Sequence, residues 1–252
     1  MFFRSLLTRA KTWFSRGIFK KYHKDAQAGA VGMWMLGVDK AGLYNDASPH
    51  PLHAASVQKY KAAINAAPAP EVIAFGDSLK DIPRDDFQHL KPENNFSISG
   101  SRSHHMLMMA EEIQPELKRL KKLSKLRFVH IGTLEGNGFL VGAPLDHAVE
   151  RATACLNGLR RLFPEQMLIV DLIPPTYSPY ANLSRAPYEA AILSWIAHDG
   201  NAVSIGFHNM GLTTPNLRLS SDGVHFTPEG IRRFDEAMER ARRRSPGTLV
   251  EA

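Results

Sequence analysis

The stretch of sequence that decides the fold runs from Glu71 to Leu79 and reads EVIAFGDSL. Its apolar run, VIAF, is too short for a helix and β-branched at its start, which is typical of a central strand in a parallel sheet. Gly76 then permits a sharp exit from the strand, and Ser78 follows at its carboxyl end. Because ligands bind at this edge of open α/β sheets, Ser78 is the first candidate functional residue.

A second stretch with chemical content lies near the other end of the chain, where residues 221–226 read SDGVHF. An aspartate three residues before a histidine can bring both side chains beside a serine at a sheet edge. The sequence TPEG at 227–230 then predicts the start of a helix, with Thr227 at the N-cap and Pro228 in the first turn. Asp222 and His225 are therefore the candidate partners of Ser78.

These two stretches resemble the opening and closing motifs of the SGNH, or GDSL, hydrolase family, here GDSL at 76–79 and DGVH at 222–225. The resemblance covers roughly residues 71–244. It implies an enzyme in which Ser78 is the nucleophile, His225 the general base and Asp222 the group that orients the histidine. Such an arrangement is chemically necessary because a serine hydroxyl is a weak nucleophile until a base takes its proton.

The resemblance also implies a set of donors for the oxyanion, which must be fixed in advance of the reaction. The family uses the backbone N–H of the serine, that of a glycine after the second strand, and an asparagine side chain after the third. Ser78 and Gly100 match the first two. The third block departs from the usual Gly-x-Asn-Asp, since residues 131–138 read IGTLEGNG. Either an inserted loop returns Asn137 to the site, which we predict, or the donor is lost.

Three functions remain open on the sequence. The first is a serine esterase or acyl hydrolase that cleaves a small-molecule, lipid or carbohydrate ester through an acyl-enzyme. The second is an O-acyltransferase with the same triad, in which a sugar or another alcohol outcompetes water. The third is an impaired binding module attached to a membrane, for which the altered third block is the only support.

The remaining pattern alternates strands with helices, which predicts a parallel sheet with helices on both faces. We expect an α/β three-layer sandwich, SGNH or flavodoxin-like, with a central, mostly parallel five-stranded sheet and an N-terminal helical extension. The predicted strands lie near 71–75, 96–99, 127–131, 167–172 and 202–206, and the predicted helices near 54–66, 103–122, 145–163, 186–198 and 228–244. His104 and His105, at the start of one helix, are expected to be exposed.

The net charge of the chain is confined to its beginning. Residues 1–25 hold seven of the 31 basic residues and one of the 25 acidic residues, which leaves 24 of each sign elsewhere. A neutral remainder argues against a catalytic domain that binds nucleic acid. We divide the chain into a basic amphipathic helix at 1–25, a connector with a short helix at 26–70, the SGNH-type domain at 71–244 and a tail at 245–252.

The basic segment separates into an aromatic and aliphatic face and a cationic face at helical spacing. Three interpretations remain open: docking on the protein's own domain, attachment of residues 1–24 to an anionic membrane surface, and an organelle presequence. Charges interrupt every apolar run up to Lys24, so the segment is not a standard secretory signal. We expect a cytoplasmic protein, with peripheral membrane attachment as the alternative.

Cysteine and histidine usage bears on cofactors. The single cysteine, Cys155, excludes an intrachain disulfide, and the eleven histidines are scattered without the spacing of metal ligands. We therefore expect no metal and no cofactor.

Overall fold

The computed structural model describes residues 49–140, 142–176, 179–207 and 224–251. The predicted amphipathic helix at 1–25 lies outside these residues and stays a prediction. The helices are α1 His53–Ala66, α2 Ser78–Asp81, α3 Ser103–Arg119, α4 Gly136–Leu140, α5 Leu145–Leu162, α6 Pro179–Asp199 and α7 Pro228–Ala241, with 3₁₀ turns at Pro92–Asn94 and Leu123–Lys125.

The strands are β1 Val72–Phe75, β2 Phe128–Ile131, β3 Met167–Asp171, β4 Ala202–Gly206 and β5 Leu249–Glu251. They form one five-stranded sheet in the order β1-β2-β3-β4-β5, with every neighbouring pair parallel. The predicted α/β class with a parallel five-stranded sheet is confirmed. Parallel strands place their carboxyl ends at one edge, so the residues after β1, β2 and β3 meet there.

The strands at the two edges of the sheet differ from those predicted. The predicted strand at 96–99 is an isolated parallel bridge between Asn95 and Ala74, continued by a hydrogen bond from the Phe96 N–H to the Ala74 carbonyl at 2.8 Å. The fifth strand is instead β5, within the residues predicted as a tail. Its three residues pair with β4, and that pairing, rather than a recognisable pattern, makes them a strand.

Apolar side chains cover the sheet on both faces. One hydrophobic cluster joins α1, α3, α5 and α6 to the side chains of Ile73, Phe75, Val129 and Val170. The other joins α7 and the residues after α2 to the alternate side chains of the same strands, among them Ala74, Phe128 and Ile169. This alternation follows from the period of two along a strand. The result is the predicted three-layer arrangement.

Candidate active site

The turn that follows β1 holds Ser78. Gly76 leaves no room for a side chain, because a Cβ there would lie 2.9 Å from Cδ of Lys80 and 3.0 Å from Oγ of Ser97. Asp77 caps α2 by accepting a hydrogen bond from the Leu79 N–H at 2.9 Å. Ser78 is then the first residue of α2 and is 8% exposed. The serine is therefore held by a closely packed turn at the carboxyl edge of the sheet.

The side chain of Asp77 stabilises this turn. The Thr133 hydroxyl, just after β2, donates to Oδ2 of Asp77, so the ends of β1 and β2 are joined through side chains. Burial raises the pKa of the Asp77 carboxyl, and the hydrogen bonds from Thr133 and the Leu79 N–H oppose that rise. One carboxylate oxygen has a partner within the turn and the other a partner after β2, so Asp77 has a structural role.

His225 reaches the serine from the other end of the chain. Its Nε2 lies 2.8 Å from Oγ of Ser78. The residue precedes α7, whose start follows the predicted pattern: Oγ1 of Thr227 accepts from the Gly230 N–H at 3.3 Å, and proline stands in the first turn. The geometry is that of a hydroxyl and a base within proton-transfer distance. Asp222 lies outside the described residues, so its role stays a prediction.

Gly100 lies in a tight turn that follows the bridge beside β1. The Ser101 N–H donates to the Ile98 carbonyl at 3.0 Å, and Gly100 has a φ of +86°. The preceding segment is fixed to the nucleophile turn, because the Ile98 N–H donates to the Gly76 carbonyl at 3.1 Å. Gly100 thus follows a segment bonded to the turn before Ser78, and its role as an oxyanion donor stays a prediction.

Asn137 is brought to that same turn. It lies in α4, which begins with Gly136, and its Nδ2 donates to the Ser101 carbonyl at 2.9 Å. Leu134 is buried in the core with a φ of +54°. The loop after β2 therefore bends at Leu134 and returns Asn137 beside Gly100. Only one of the two amide hydrogens is needed for the Ser101 bond, and whether the other meets an oxyanion stays a prediction.

Glu135 stabilises this altered loop. The side chain is buried, its Oε1 accepts from the Ser103 hydroxyl, and its Oε2 accepts from Nη2 of Arg151 at 3.0 Å. Burial raises the pKa of the Glu135 carboxyl, and Arg151 opposes that rise. The carboxylate thereby ties the loop to α3 and α5.

A buried charged cluster beneath α2 was missed by the sequence analysis. Nζ of Lys80 forms an ion pair with Oδ2 of Asp171, and Nε2 of His130 lies 2.8 Å from Oδ1 of the same carboxylate. All three side chains are almost fully buried. Burial alone would raise the pKa of Asp171, but Lys80 and His130 hold it below its ordinary value. Burial, reinforced by Lys80, lowers the pKa of His130 to about 4, so the imidazole is neutral at pH 7.

The expectation that His104 and His105 are exposed was wrong. His105 is 5% exposed and His104 is half-buried, with the two rings 3.8 Å apart. Nδ1 of His105 accepts from the Arg102 N–H at 3.1 Å, so the ring caps its own helix. A second ring, that of His50, packs edge-on against His105 at 5.2 Å. The start of α3 is therefore covered by residues that precede the predicted hydrolase domain.

Within the described part of the chain, no group of three or more histidine, cysteine, aspartate or glutamate side chains could hold a metal ion. Across those same residues, no helix combines the length and apolar character needed to cross a membrane.

Solved structures of several proteins are similar to this one. A protein from Streptococcus pneumonia, provisionally described as a platelet activating factor, has a TM-score of 0.62 at 12% identity, with 75% of this chain and 92% of that one covered. A protein from Bacteroides fragilis, provisionally described as an acylhydrolase, has a TM-score of 0.54 at 16% identity, covering 74% and 95%. A GDSL-like lipase from Bacteroides thetaiotaomicron has a TM-score of 0.53 at 16% identity, covering 74% and 97%.

Sequence comparison adds no relative: no protein-family model matches the chain, and no curated protein matches it. At identities this low, a structural likeness speaks for the fold alone. The five parallel strands, the helices on both faces and these similar structures together give the chain the fold of the SGNH, or GDSL, hydrolases.

Proposed function

We propose that the protein is a serine esterase or acyl hydrolase that works through an acyl-enzyme on Ser78. The observation that carries this proposal is the 2.8 Å separation between Oγ of Ser78 and Nε2 of His225 at the carboxyl edge of the sheet. A serine and a histidine at this distance, at the edge where α/β folds bind ligands, are suited to nucleophilic catalysis. The GDSL-like lipase and the acylhydrolase of similar fold support the choice of an ester as substrate.

In the first half of the reaction, Oγ of Ser78 attacks the ester carbonyl and its proton passes to Nε2 of His225. The carbonyl oxygen becomes an oxyanion, which the N–H groups of Ser78 and Gly100 and the amide of Asn137 would stabilise. The bond to the alkoxy group then breaks, and the imidazolium returns the proton to the departing alcohol. Asp222 would accept the hydrogen bond from Nδ1 of His225.

In the second half, a water molecule attacks the acyl group on Ser78 while His225 takes its proton. Collapse of this second tetrahedral intermediate releases the carboxylic acid and restores the serine hydroxyl. Another alcohol in place of water would give the O-acyltransferase reaction with the same residues. The two outcomes differ only in the acceptor that reaches the acyl-enzyme.

A fluorophosphonate probe tests the proposal directly, because it phosphonylates a serine that is activated by a base. We expect one probe per chain on Ser78 and none on Ser78→Ala. Ser184→Ala is the matched control, since Ser184 is also 8% exposed. Wild-type protein that stays unlabelled, or a Ser78→Ala variant that is still labelled at another serine, would overturn the assignment. The first outcome would favour the binding module.

Substrate class is then read from hydrolysis of p-nitrophenyl esters of increasing chain length and of acetylated sugars. Addition of a sugar or another alcohol to the best substrate separates the two reactions. Acyl transfer to the alcohol at the expense of the free acid would identify an acyltransferase.

A further inference from the structure

A four-residue turn such as the one from Ile98 to Ser101 can in general be closed in two ways. Its closing hydrogen bond and the φ of +86° at Gly100 are features of a type II turn, in which the third residue has a positive φ. A type I turn keeps the same closing bond but flips the central peptide, here the one that joins Ser99 to Gly100. That flip would reverse the direction of the Gly100 N–H. An oxyanion donor at this position therefore requires contacts that hold the central peptide in one state.

Asp81 holds Ser99, the residue on the N-terminal side of that peptide. Its Oδ2 accepts from both the Ser99 N–H at 2.8 Å and the Ser99 hydroxyl at 2.7 Å. Its Oδ1 accepts from Nη2 of Arg84 at 2.9 Å, so the carboxylate itself is held in place. Asp81 is the last residue of α2, the helix that begins with Ser78. One short helix thus carries both the nucleophile and the anchor of the turn.

His50 approaches the same peptide at Gly100. A Cβ added at Gly100 would lie 3.6 Å from Nε2 of His50. Nδ1 of this ring accepts from the Leu52 N–H at 3.1 Å, which places the proton of the neutral imidazole on Nε2, the atom that faces the turn. Burial lowers the pKa of His50 to about 4, so the ring is neutral at pH 7.

The side of Gly100 that His50 approaches identifies the group beside its Nε2. In a type II turn the carbonyl of the second residue, here Ser99, lies on the side where a Cβ of the third residue would stand, and Nε2 of His50 lies 3.6 Å from that Cβ position. The Nε2–H group therefore faces the Ser99 carbonyl. In a trans peptide the carbonyl and the following N–H point in opposite directions. A donor held on the Ser99 carbonyl therefore directs the Gly100 N–H away from His50.

We propose that Asp81 and His50 are positioning residues that hold the Ser99–Gly100 peptide so that the Gly100 N–H faces the ester carbonyl at Ser78. The proposal rests on the proposed function and adds two residues to its machinery, neither of which touches the substrate. It also assigns a catalytic contribution to the chain before Glu71, which the sequence resemblance does not cover.

The test compares kcat, KM and thermal unfolding for Asp81→Ala, Asp81→Asn, His50→Ala and His50→Gln. Deletion of an oxyanion donor typically lowers kcat by about 10²–10³, and we expect the two alanine variants to approach that loss with KM little changed. His50→Gln keeps a donor near the position of Nε2, and Asp81→Asn keeps an acceptor oxygen, so both should recover part of the rate. Asp85→Ala, an exposed aspartate on the next turn, is the matched control.

A double variant separates positioning from two independent structural defects. Because both residues act through one N–H group, Asp81→Ala with His50→Ala should lose little more than the worse single variant. Folded variants with wild-type kcat, a fully multiplicative loss, or a change confined to KM would overturn the proposal. If Asp81→Ala does not fold, the contrast between His50→Ala and His50→Gln decides.

Probe labelling and turnover together distinguish this inference from the proposed function on which it rests. Wild-type protein without labelling at Ser78 removes the proposed function and this inference with it. Wild-type protein that is labelled, with variants that turn over at the wild-type rate, removes the inference alone.

Discussion

Nε2 of His225 lies 2.8 Å from Oγ of Ser78, although 147 positions separate the two residues in the chain. The serine is placed by the exit from β1 and the histidine by the entry into α7. Local turns orient each side chain, but only the packing of α7 on the sheet brings the two together, so the pair exists only in the folded protein. Partial unfolding that separates α7 from the sheet should therefore also abolish acylation of Ser78.

The triad is expected to act as one unit. Asp222→Asn in the wild-type background should lower kcat by on the order of 10⁴, because the histidine loses the partner that fixes its tautomer. In the Ser78→Ala background the same change should cost little more, since groups that act together are strongly non-additive. Rates of p-nitrophenyl acetate hydrolysis for the two single variants and the double variant measure this. Losses that simply multiply would contradict the shared role.

Asn137→Ala is expected to lower kcat by about 10²–10³ with a smaller change in KM, as for loss of one oxyanion donor. Steady-state kinetics measure the effect, and thermal unfolding reports the loss of the hydrogen bond to the Ser101 carbonyl. Asn157→Ala is the control, because that side chain is exposed and accepts a surface hydrogen bond from Trp195. An Asn137→Ala variant that retains the wild-type kcat would show that the family's third donor has been lost.

Replacement of the buried Lys80 should strongly decrease the free energy of unfolding. Lys80→Met leaves the Asp171 carboxylate buried without its cation, and breaking such a pair typically destabilises a protein by about 3–5 kcal/mol. Lys61→Met breaks the exposed pair with Glu112, at 2.7 Å, and should cost about 1 kcal/mol or less. Urea unfolding of the two variants gives both values. A Lys80→Met variant as stable as Lys61→Met would mean that Asp171 finds compensation elsewhere.

The free energy of unfolding should decrease as the pH is lowered through the range in which the buried imidazole of His130 titrates. The unfolded chain takes up a proton near pH 6.5, whereas burial first, and then Lys80, lower the pKa of the folded residue to about 4. Between these values the unfolded state binds more protons, so acidification favours unfolding, and below both values the loss is complete. His130→Gln keeps a donor to Asp171 but cannot titrate.

The plot of unfolding free energy against pH should therefore be shallower for His130→Gln than for wild type between pH 4 and 6.5. The difference in slope is expected to reach about 1.4 kcal/mol per pH unit for a single group. His147→Gln, at an exposed position, is the matched control. Parallel curves for wild type and His130→Gln would remove the proposed titration.

Residues 1–24 lie outside the described part of the chain, and their membrane interpretation is tested separately. The full-length protein should sediment with anionic vesicles at low salt, and Δ1–24 should not, since each basic residue near such a surface contributes about 1 kcal/mol. Neutral vesicles and high salt are the controls. Equal sedimentation of both proteins would end the membrane interpretation, and a large loss of thermal stability in Δ1–24 would replace it with docking on the domain.

The parts of the fold that could be predicted are those with a local signal. Short apolar runs marked β1 to β4. The threonine before α7 and the proline at its first position marked a helix start that the structure confirms. β5 had no such signal, because three residues become a strand only through pairing with β4. The opposite holds for the strand predicted near 96–99: its sequence pattern suits a strand, but beside β1 there is only an isolated bridge between Asn95 and Ala74.

The same distinction holds in the candidate site. Ser78 and His225 were found through motifs, whereas Lys80 looks like any charged residue on a helix. Its partner Asp171 lies 91 positions further along, and burial of the pair follows from that distant contact. A charged residue that ends an otherwise apolar strand, as Asp171 does in MLIVD, was the available signal. The sequence held no such signal for His50, because the role that we propose for it depends on the Ser99–Gly100 peptide, which it approaches only in the folded protein.

The close approach of Gly132 to Gly76 limits how such an enzyme could be redesigned. A Cβ at Gly132 would lie 2.8 Å from Cα of Gly76, so the main chains that follow β1 and β2 approach closely beside the turn that holds Ser78. A side chain at Gly132 would therefore press on the turn that holds Ser78. For the esterase that we propose, a mutant library aimed at new substrates should leave both glycines untouched and vary other residues.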